Sequence, residues 1–265
     1  MFSIDPRGGH NRYKFDKVFF KKWTPEMAYI LGFLYADGDI EDVRKSSRTQ
    51  YITFGSKDKE ILESIRFAMG SEHNINRRAH HKFISPSGKI YECADFYRLR
   101  IGSKNMFADL LELGLTPRKS LTIKFPNNIP NDCFSHFIRG YFDGDGCITI
   151  KKGRGKYGQQ ILKGIAVIFT SGSKEFLEGL KNSANRFANF RKRNVYYIGS
   201  SRAYYLKYDT LESLKWFKYF YKDNLSGLFL KRKLDVFKKY FQLRPIRIDE
   251  EIENILNKEY GRVSK

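Results

Sequence analysis

The sequence predicts an α+β protein of two pseudo-symmetric αββαββα halves, with one apolar helix of each half packed at the centre and antiparallel β saddles. Two observations carry this expectation. The stretch Tyr29-Ile-Leu-Gly-Phe-Leu-Tyr-Ala-Asp-Gly38 recurs as Phe137-Ile-Arg-Gly-Tyr-Phe-Asp-Gly-Asp-Gly146, and similar strand and helix patterns follow each copy. The 17 Tyr and 23 Phe supply enough aromatic mass for a sizeable core. The chain accordingly divides into a basic N-terminal arm (1–23), a first half (24–115), a linker (116–130), a second half (131–243) and a helical tail (244–265).

The arm carries Arg7, Arg12, Lys14, Lys17, Lys21 and Lys22. It reads either as a strap along a phosphate backbone or as a frayed terminus. Thr24-Pro25-Glu26 then starts a helix: a capping Thr followed by proline at the first helical position. After it comes an extended pattern from Asp39 to Gly55, broken by a polar turn at 45–50, with Tyr51 to Phe54 as its clearest strand. Ser56 is expected to cap a helix whose Ile61, Leu62, Ile65 and Met69 recur at helical spacing. Strands near 73–83 and 90–101 are divided by the turn Ser85-Pro-Ser-Gly88, and Ser103 caps a helix ending at Gly114.

Pro117, Pro126 and Pro130 mark the linker. In the second half, strands near 146–152 and 161–171 flank a basic, glycine-rich turn. Ser173-Lys174-Glu175 opens a helix in the manner of Ser56-Lys57-Asp58. A hairpin is expected from Arg191–Ile198 and Arg202–Tyr208 around Gly199-Ser200, then helices over 210–221 and 231–241. The tail from Ile248 is amphipathic, consistent with either a docking helix or the opening of a helix-turn-helix.

The repeated stretch is the unusual feature. Mid-helix glycine costs roughly 1 kcal/mol against alanine, so Gly32 and Gly140 call for a packing reason. Backbone-to-backbone contact between the two helices supplies one. It would bring Asp37 and Asp145 together at helix C-termini, where the macrodipole already disfavours negative charge. A divalent cation relieves that repulsion. An EF-hand is excluded, because the loop after Asp143 and Asp145 continues as Cys147-Ile148 and lacks the third ligand and the glycine.

Ile30–Gly38 and Ile138–Gly146 resemble two copies of the signature of the LAGLIDADG homing endonucleases. The first copy departs in having Tyr35 at a usually acidic position. The last acidic position is filled in both. The resemblance implies site-specific cleavage of double-stranded DNA at a long asymmetric target, leaving 3′ overhangs. Asp37 and Asp145 would bind metal, each beside a carbonyl, of Ala36 or Gly144, with Mg²⁺ the expected ion. Mn²⁺ would substitute, and Ca²⁺ would bind without supporting cleavage. A lysine balancing charge at the site would be Lys231, in Leu230-Lys-Arg-Lys233. The comparable Thr116-Pro-Arg-Lys119 puts Pro117 there, leaving Lys119 or Lys57 as substitutes. Ser56 and Ser173 fall where relatives carry a water-orienting group.

A net charge of +20, from 49 Lys and Arg against 29 Asp and Glu, points to a polyanionic partner. The saddles would lie in the major groove, where base edges are distinguishable. Outward candidates are Tyr51, Thr53, Arg77, Arg98 and Arg100 in the first half. In the second they are Thr149, Lys151, Thr170, Arg191, Arg193 and Lys207. Three cysteines without a CxxC pattern suggest free thiols in a reducing compartment. No apolar run suits a membrane or a signal peptide. The expectation is a soluble intracellular monomer, of cytoplasm, nucleoid or organelle matrix. The alternative on the same fold is a non-cleaving DNA-binding regulator or a maturase whose partner is intron RNA.

Overall fold

The computed structural model describes residues 13–43, 49–86, 88–223 and 227–258. The chain forms two compact units: residues 1–22 with 37–117, and residues 23–36 with 118–265. The first repeated helix, α1 (Pro25–Asp37), thus belongs, all but its last residue, to the second unit.

In the first unit, β1 (Gly38–Asp42), β2 (Gln50–Ser56), α2 (Lys59–Ala68), β3 (Ile75–Arg78), β4 (His81–Ile84), β5 (Ile90–Cys93), β6 (Phe96–Gly102) and α3 (Lys104–Glu112) follow in order. The antiparallel sheet runs β1-β2-β6-β3. Alternation sets its faces. Ile52, Phe54, Leu99 and Ile101 point inward and are buried, as are Ile61, Leu62 and Ile65 of α2 and Met106, Phe107 and Leu110 of α3. The two long strands expected over 73–83 and 90–101 are each broken in two. β4 and β5 pair only with each other, in a separate two-stranded sheet.

Residues 13–22 do not extend as an arm. Asp16 N–H donates to the Met69 carbonyl at 2.9 Å, and Glu72 N–H to that of Lys14 at 2.9 Å. Lys21 pairs with the buried Asp109 at 2.5 Å. Residues 1–12, with Arg7 and Arg12, lie outside the described residues, as do 44–48 of the expected polar turn.

The second unit adds α4 (Asn131–Asp145), β7 (Gly146–Arg154), β8 (Gln160–Ser171), α5 (Lys174–Ala188), β9 (Val195–Ile198), β10 (Ala203–Tyr208), α6 (Thr210–Tyr221), α7 (Lys231–Leu243) and α8 (Glu250–Leu256). Its sheet, β7-β8-β10-β9, repeats the topology of the first. Trp216 of α6 stacks on Phe190 with centroids 3.7 Å apart and meets Phe169 of β8 edge-on at 5.2 Å, so large aromatics tie helix to sheet. The tail docks: Ile252 and Ile255 of α8 are buried, and Lys218 of α6 bonds Asp249 at 2.6 Å and Glu251 at 3.0 Å. Residues 259–265 fall outside the described residues.

The expected register of the helix openings shifts by two residues. Ser56 ends β2 as Ser171 ends β8, and each hydroxyl accepts the N–H two residues on, at 3.1 Å. The N-caps are Asp58 and Ser173. Ser56 therefore corresponds to Ser171, which the direct sequence match to Ser173 concealed.

α1 and α4 cross at their glycines. A Cβ on Gly32 would lie 2.0 Å from the Phe137 carbonyl oxygen, and one on Gly140 2.0 Å from that of Tyr29. Backbone stands in the way on both sides, so no rotamer change relieves the clash. Gly32→Ala or Gly140→Ala should each cost about 3 kcal/mol or more in a urea titration. A loss below about 1 kcal/mol, the ordinary range for a tolerated substitution, would mean the helices do not meet there.

Candidate active site

The site is built at the C-terminal ends of α1 and α4. Met27 to Tyr35 are buried without a break, so α1 is apolar all round, as a helix within a core must be. In α4 the same position in the repeat is occupied differently. Asp143 is fully buried, and its Oδ2 accepts the Tyr29 hydroxyl at 2.7 Å and the Leu230 N–H at 2.9 Å. Burial pushes its carboxyl above the usual range, opposed by the nearby Lys233 ammonium. In the reverse sense of the repeat, Tyr35 faces Phe137, ring edge to ring face, at 5.3 Å. One copy thus closes with a hydrogen bond and the other with an aromatic contact.

Arg139 is 1% exposed yet satisfied. It donates to the carbonyls of Leu228 at 3.0 Å and Phe220 at 2.8 Å, and to His136 Nδ1 at 3.0 Å. As an acceptor there, His136 must be neutral, with its proton on Nε2. Burial, then Arg139, lowers its pKa to about 4.

Asp37 is the last residue of α1 and is exposed; Asp145 ends α4 half-buried, and the Thr170 hydroxyl donates to its carbonyl. A buried lysine lies at each helix end. Lys119 Nζ donates to the Ala36 carbonyl at 3.0 Å. Lys233 Nζ donates to the carbonyls of Phe142, of Asp143 at 2.8 Å and of Gly146 at 2.6 Å. Three acceptors match an ammonium's three protons and sit where the helix dipole favours a cation.

Lys231, which the sequence put at the site, begins α7 with an exposed side chain; Lys233, two residues on, holds the carbonyls. The signal was present: with Thr116-Pro-Arg-Lys119 set against Leu230-Lys-Arg-Lys233, the shared residues are the Arg-Lys pair, not the position of Lys231. Lys57 is exposed just beyond β2.

A cleft of about 340 Å³ opens in the second unit, lined among others by Ala36, Lys119, Asp145, Thr170, Ser171 and Arg202. Its oxygen donors are a carboxylate, hydroxyls and main-chain carbonyls. Among the described residues no group of three or more His, Cys, Asp and Glu could enclose a metal. One carboxylate per helix end is too few for a protein-only cage, and an all-oxygen donor set fits a hard divalent cation.

The candidate base-contacting residues sort by strand register. Tyr51, Thr53, Arg98 and Arg100 share the outer face of the first sheet. Arg77 pairs with Tyr97 and so falls on the opposite face, bonded to Asp95 at 2.8 Å; its neighbours Asn76 and Arg78 take the outer face instead. In the second sheet Thr149, Lys151, Thr170 and Lys207 share the outer face. Arg191 and Arg193 precede β9 rather than lying in it, and Arg193 joins Lys151 on Asp209.

Residues 24–113 and 133–219 match the family described as LAGLIDADG-like domain. Among solved structures, the fold is similar to that of the meganuclease I-SmaMI bound to uncleavable DNA, with a TM-score of 0.56 at 14% identity over 88% of this chain and 96% of that one. It is also similar to the LAGLIDADG meganuclease I-AabMI bound to uncleaved DNA, with a TM-score of 0.53 at 14% identity over 90% and 100%. A probable translation initiation factor IF-2 of Methanocaldococcus jannaschii is 27% identical over 168 residues. That match takes in 60% of this chain and only 11% of the factor, so the chain spans about a ninth of that relative's length.

The buried His136 makes stability depend on pH. Its pKa is depressed in the fold, so between about 6.5 and about 4 the unfolded chain binds a proton that the folded chain does not. Stability should therefore fall as pH drops through that window. His136→Gln, whose amide oxygen can accept the Arg139 bond, should flatten the dependence in denaturant titrations across that range; an unchanged slope would mean that His136 titrates normally.

Proposed function

Because the chain belongs to the LAGLIDADG-like family, with both repeats in one polypeptide, we propose that it is a site-specific endonuclease of the homing type. It would hydrolyse double-stranded DNA at a long asymmetric target and leave 3′ overhangs. The observation that carries the reading is the pair of repeated helices, each ending in an aspartate with a buried lysine at its terminal carbonyls.

In this reading Asp37 and Asp145 each hold a divalent cation, with the Ala36 and Gly144 carbonyls beside them. Mg²⁺ is the expected ion and Mn²⁺ a substitute, with Ca²⁺ binding but not supporting cleavage. The bound cation supplies Lewis-acid polarisation of the scissile phosphate. The chain's own groups do the rest. Thr170 fixes the main chain at Asp145. Lys119, on the wall of the cleft, hydrogen-bonds the attacking water and balances phosphate charge, while Lys233 fixes the end of α4 and the aim of Asp145. Water attacks phosphorus, the bond to the 3′ oxygen breaks, and that oxygen leaves with a proton. The outer sheet faces hold the duplex, and the surplus of basic residues supplies the salt-dependent part of the affinity. The protein would act as a monomer, since one chain carries both repeats. No described helix is long and apolar enough to cross a membrane.

The test is cleavage of a randomised duplex library in Mg²⁺. Specific double-strand breaks are expected, abolished by Asp37→Asn and by Asp145→Asn. Tight binding without cleavage in Mg²⁺ or Mn²⁺ would instead indicate a binding protein or an RNA-directed maturase.

The two lysines should separate in a second measurement. Lys119→Met should slow strand cutting at least tenfold and cost less stability than Lys233→Met, since it frees one carbonyl rather than three. Lys233→Met should also destabilise the fold, by about 1–3 kcal/mol, because buried carbonyls lose their donor. Equal melting temperatures for the two variants would contradict the distinction.

A further inference from the structure

The outer faces of the two sheets differ in chemistry, and the difference has a consequence for the target. On the first sheet, strand register brings Arg98 opposite Asn76, Arg100 opposite Thr53, and Arg78 beside Phe96. Arg98, Asn76 and Arg78 are exposed. Arg100 is held in place: its guanidinium bonds Glu41 at 2.6 Å and lies 3.7 Å from the centre of the Tyr51 ring. Guanidinium groups favour the two acceptors on the major-groove edge of guanine, Arg100 from a fixed position and Arg98 from an exposed one, and an Asn suits adenine.

The strands of the second sheet carry no arginine among the paired residues on this face. One row across it reads Cys147, Ile168 and Lys207, and another Thr170, Tyr205 and Tyr196. The rings of Tyr196 and Tyr205 stack with centroids 5.5 Å apart. Of the cations nearby, Lys151 and Arg193 are both paired with Asp209. Apart from the exposed Lys207, the paired residues left facing outward are methyl, hydroxyl and aromatic. Such groups recognise the C5-methyl of thymine, which is apolar and projects into the major groove.

We infer that the two half-sites of the DNA target differ in composition. The half on the first sheet carries guanines read by Arg98 and Arg100. The half on the second sheet is rich in A·T pairs, with thymine methyls packed on Ile168 and Thr149. Glu41 acts as a positioning residue for Arg100. The inference rests on the proposal that the chain binds a specific duplex through these faces.

The test is selection of bound duplexes from a randomised pool by the full chain with Mg²⁺ withheld, followed by sequencing. The expected motif has guanines in one half and T·A pairs in the other. Arg98→Ala should relax one guanine position roughly tenfold. Glu41→Gln should relax a second guanine in that half while the melting temperature stays the same. Ile168→Ser should relax a thymine position in the other half only. A motif of equal composition in both halves, or relaxation of the same half by Arg98→Ala and Ile168→Ser, overturns the inference and leaves specific binding intact. Salt-dependent binding with no motif at all overturns the inference and the proposed site-specific function together.

Discussion

The contact on which the second unit depends is the approach of two peptide backbones at Gly32 and Gly140. With hydrogen in place of a side chain at both, main-chain atoms of α1 and α4 come closer than any Cβ would permit. The apolar residues on either side then pack without a gap, and the ends of both helices are fixed by the crossing. Everything polar at the site is referred to those ends: Lys119 on one, Lys233 on the other, and Thr170 on the Asp145 carbonyl. Carboxylates at helix C-termini are poorly placed electrostatically. Buried ammonium groups on the terminal carbonyls offset that locally.

The internal symmetry is approximate, and its departures are chemically coherent. Tyr29 with Asp143 and Phe137 with Tyr35 occupy the same pair of positions in opposite copies. Where one copy keeps a carboxyl it also keeps a hydroxyl to bond it; where the carboxyl is replaced by a ring, its partner is a ring too. A buried carboxyl without its donor would be costly, so the two positions can only change together.

How far the sequence disclosed this follows from the kind of information each feature needs. Repeat, helix crossing and strand alternation are local periodicities, and the helices fell within a few residues of their expected spans. The β4–β5 excursion was not legible, because continuous extended patterns do not say which strand pairs with which. Arg77 illustrates the parity problem: a shift of one residue moves a side chain to the other face, and only the pairing with Tyr97 decides it. Lys233 does not stand out while the two segments are aligned on their first basic residue. Comparison within the chain, which keeps lysine at both 119 and 233, contained the answer. The glycines disclose that α1 meets α4, but not that α1 groups with the second unit rather than with the strands that follow it in sequence.

That last feature bears on how such a chain can be divided. The linker between the repeats looks like a natural cutting point, but severing it would leave the N-terminal piece with a helix whose residues from Met27 to Tyr35 all require cover. Such a piece has one ready partner, another copy of itself, crossing at Gly32. The intact chain thus behaves as a dimer whose subunits have been tied together, the tether holding the second helix at a high effective concentration. Self-pairing of the N-terminal piece would set Tyr29 against Tyr35 and forfeit the bond to Asp143, so such a homodimer would not reproduce the mismatched pair of the fused chain.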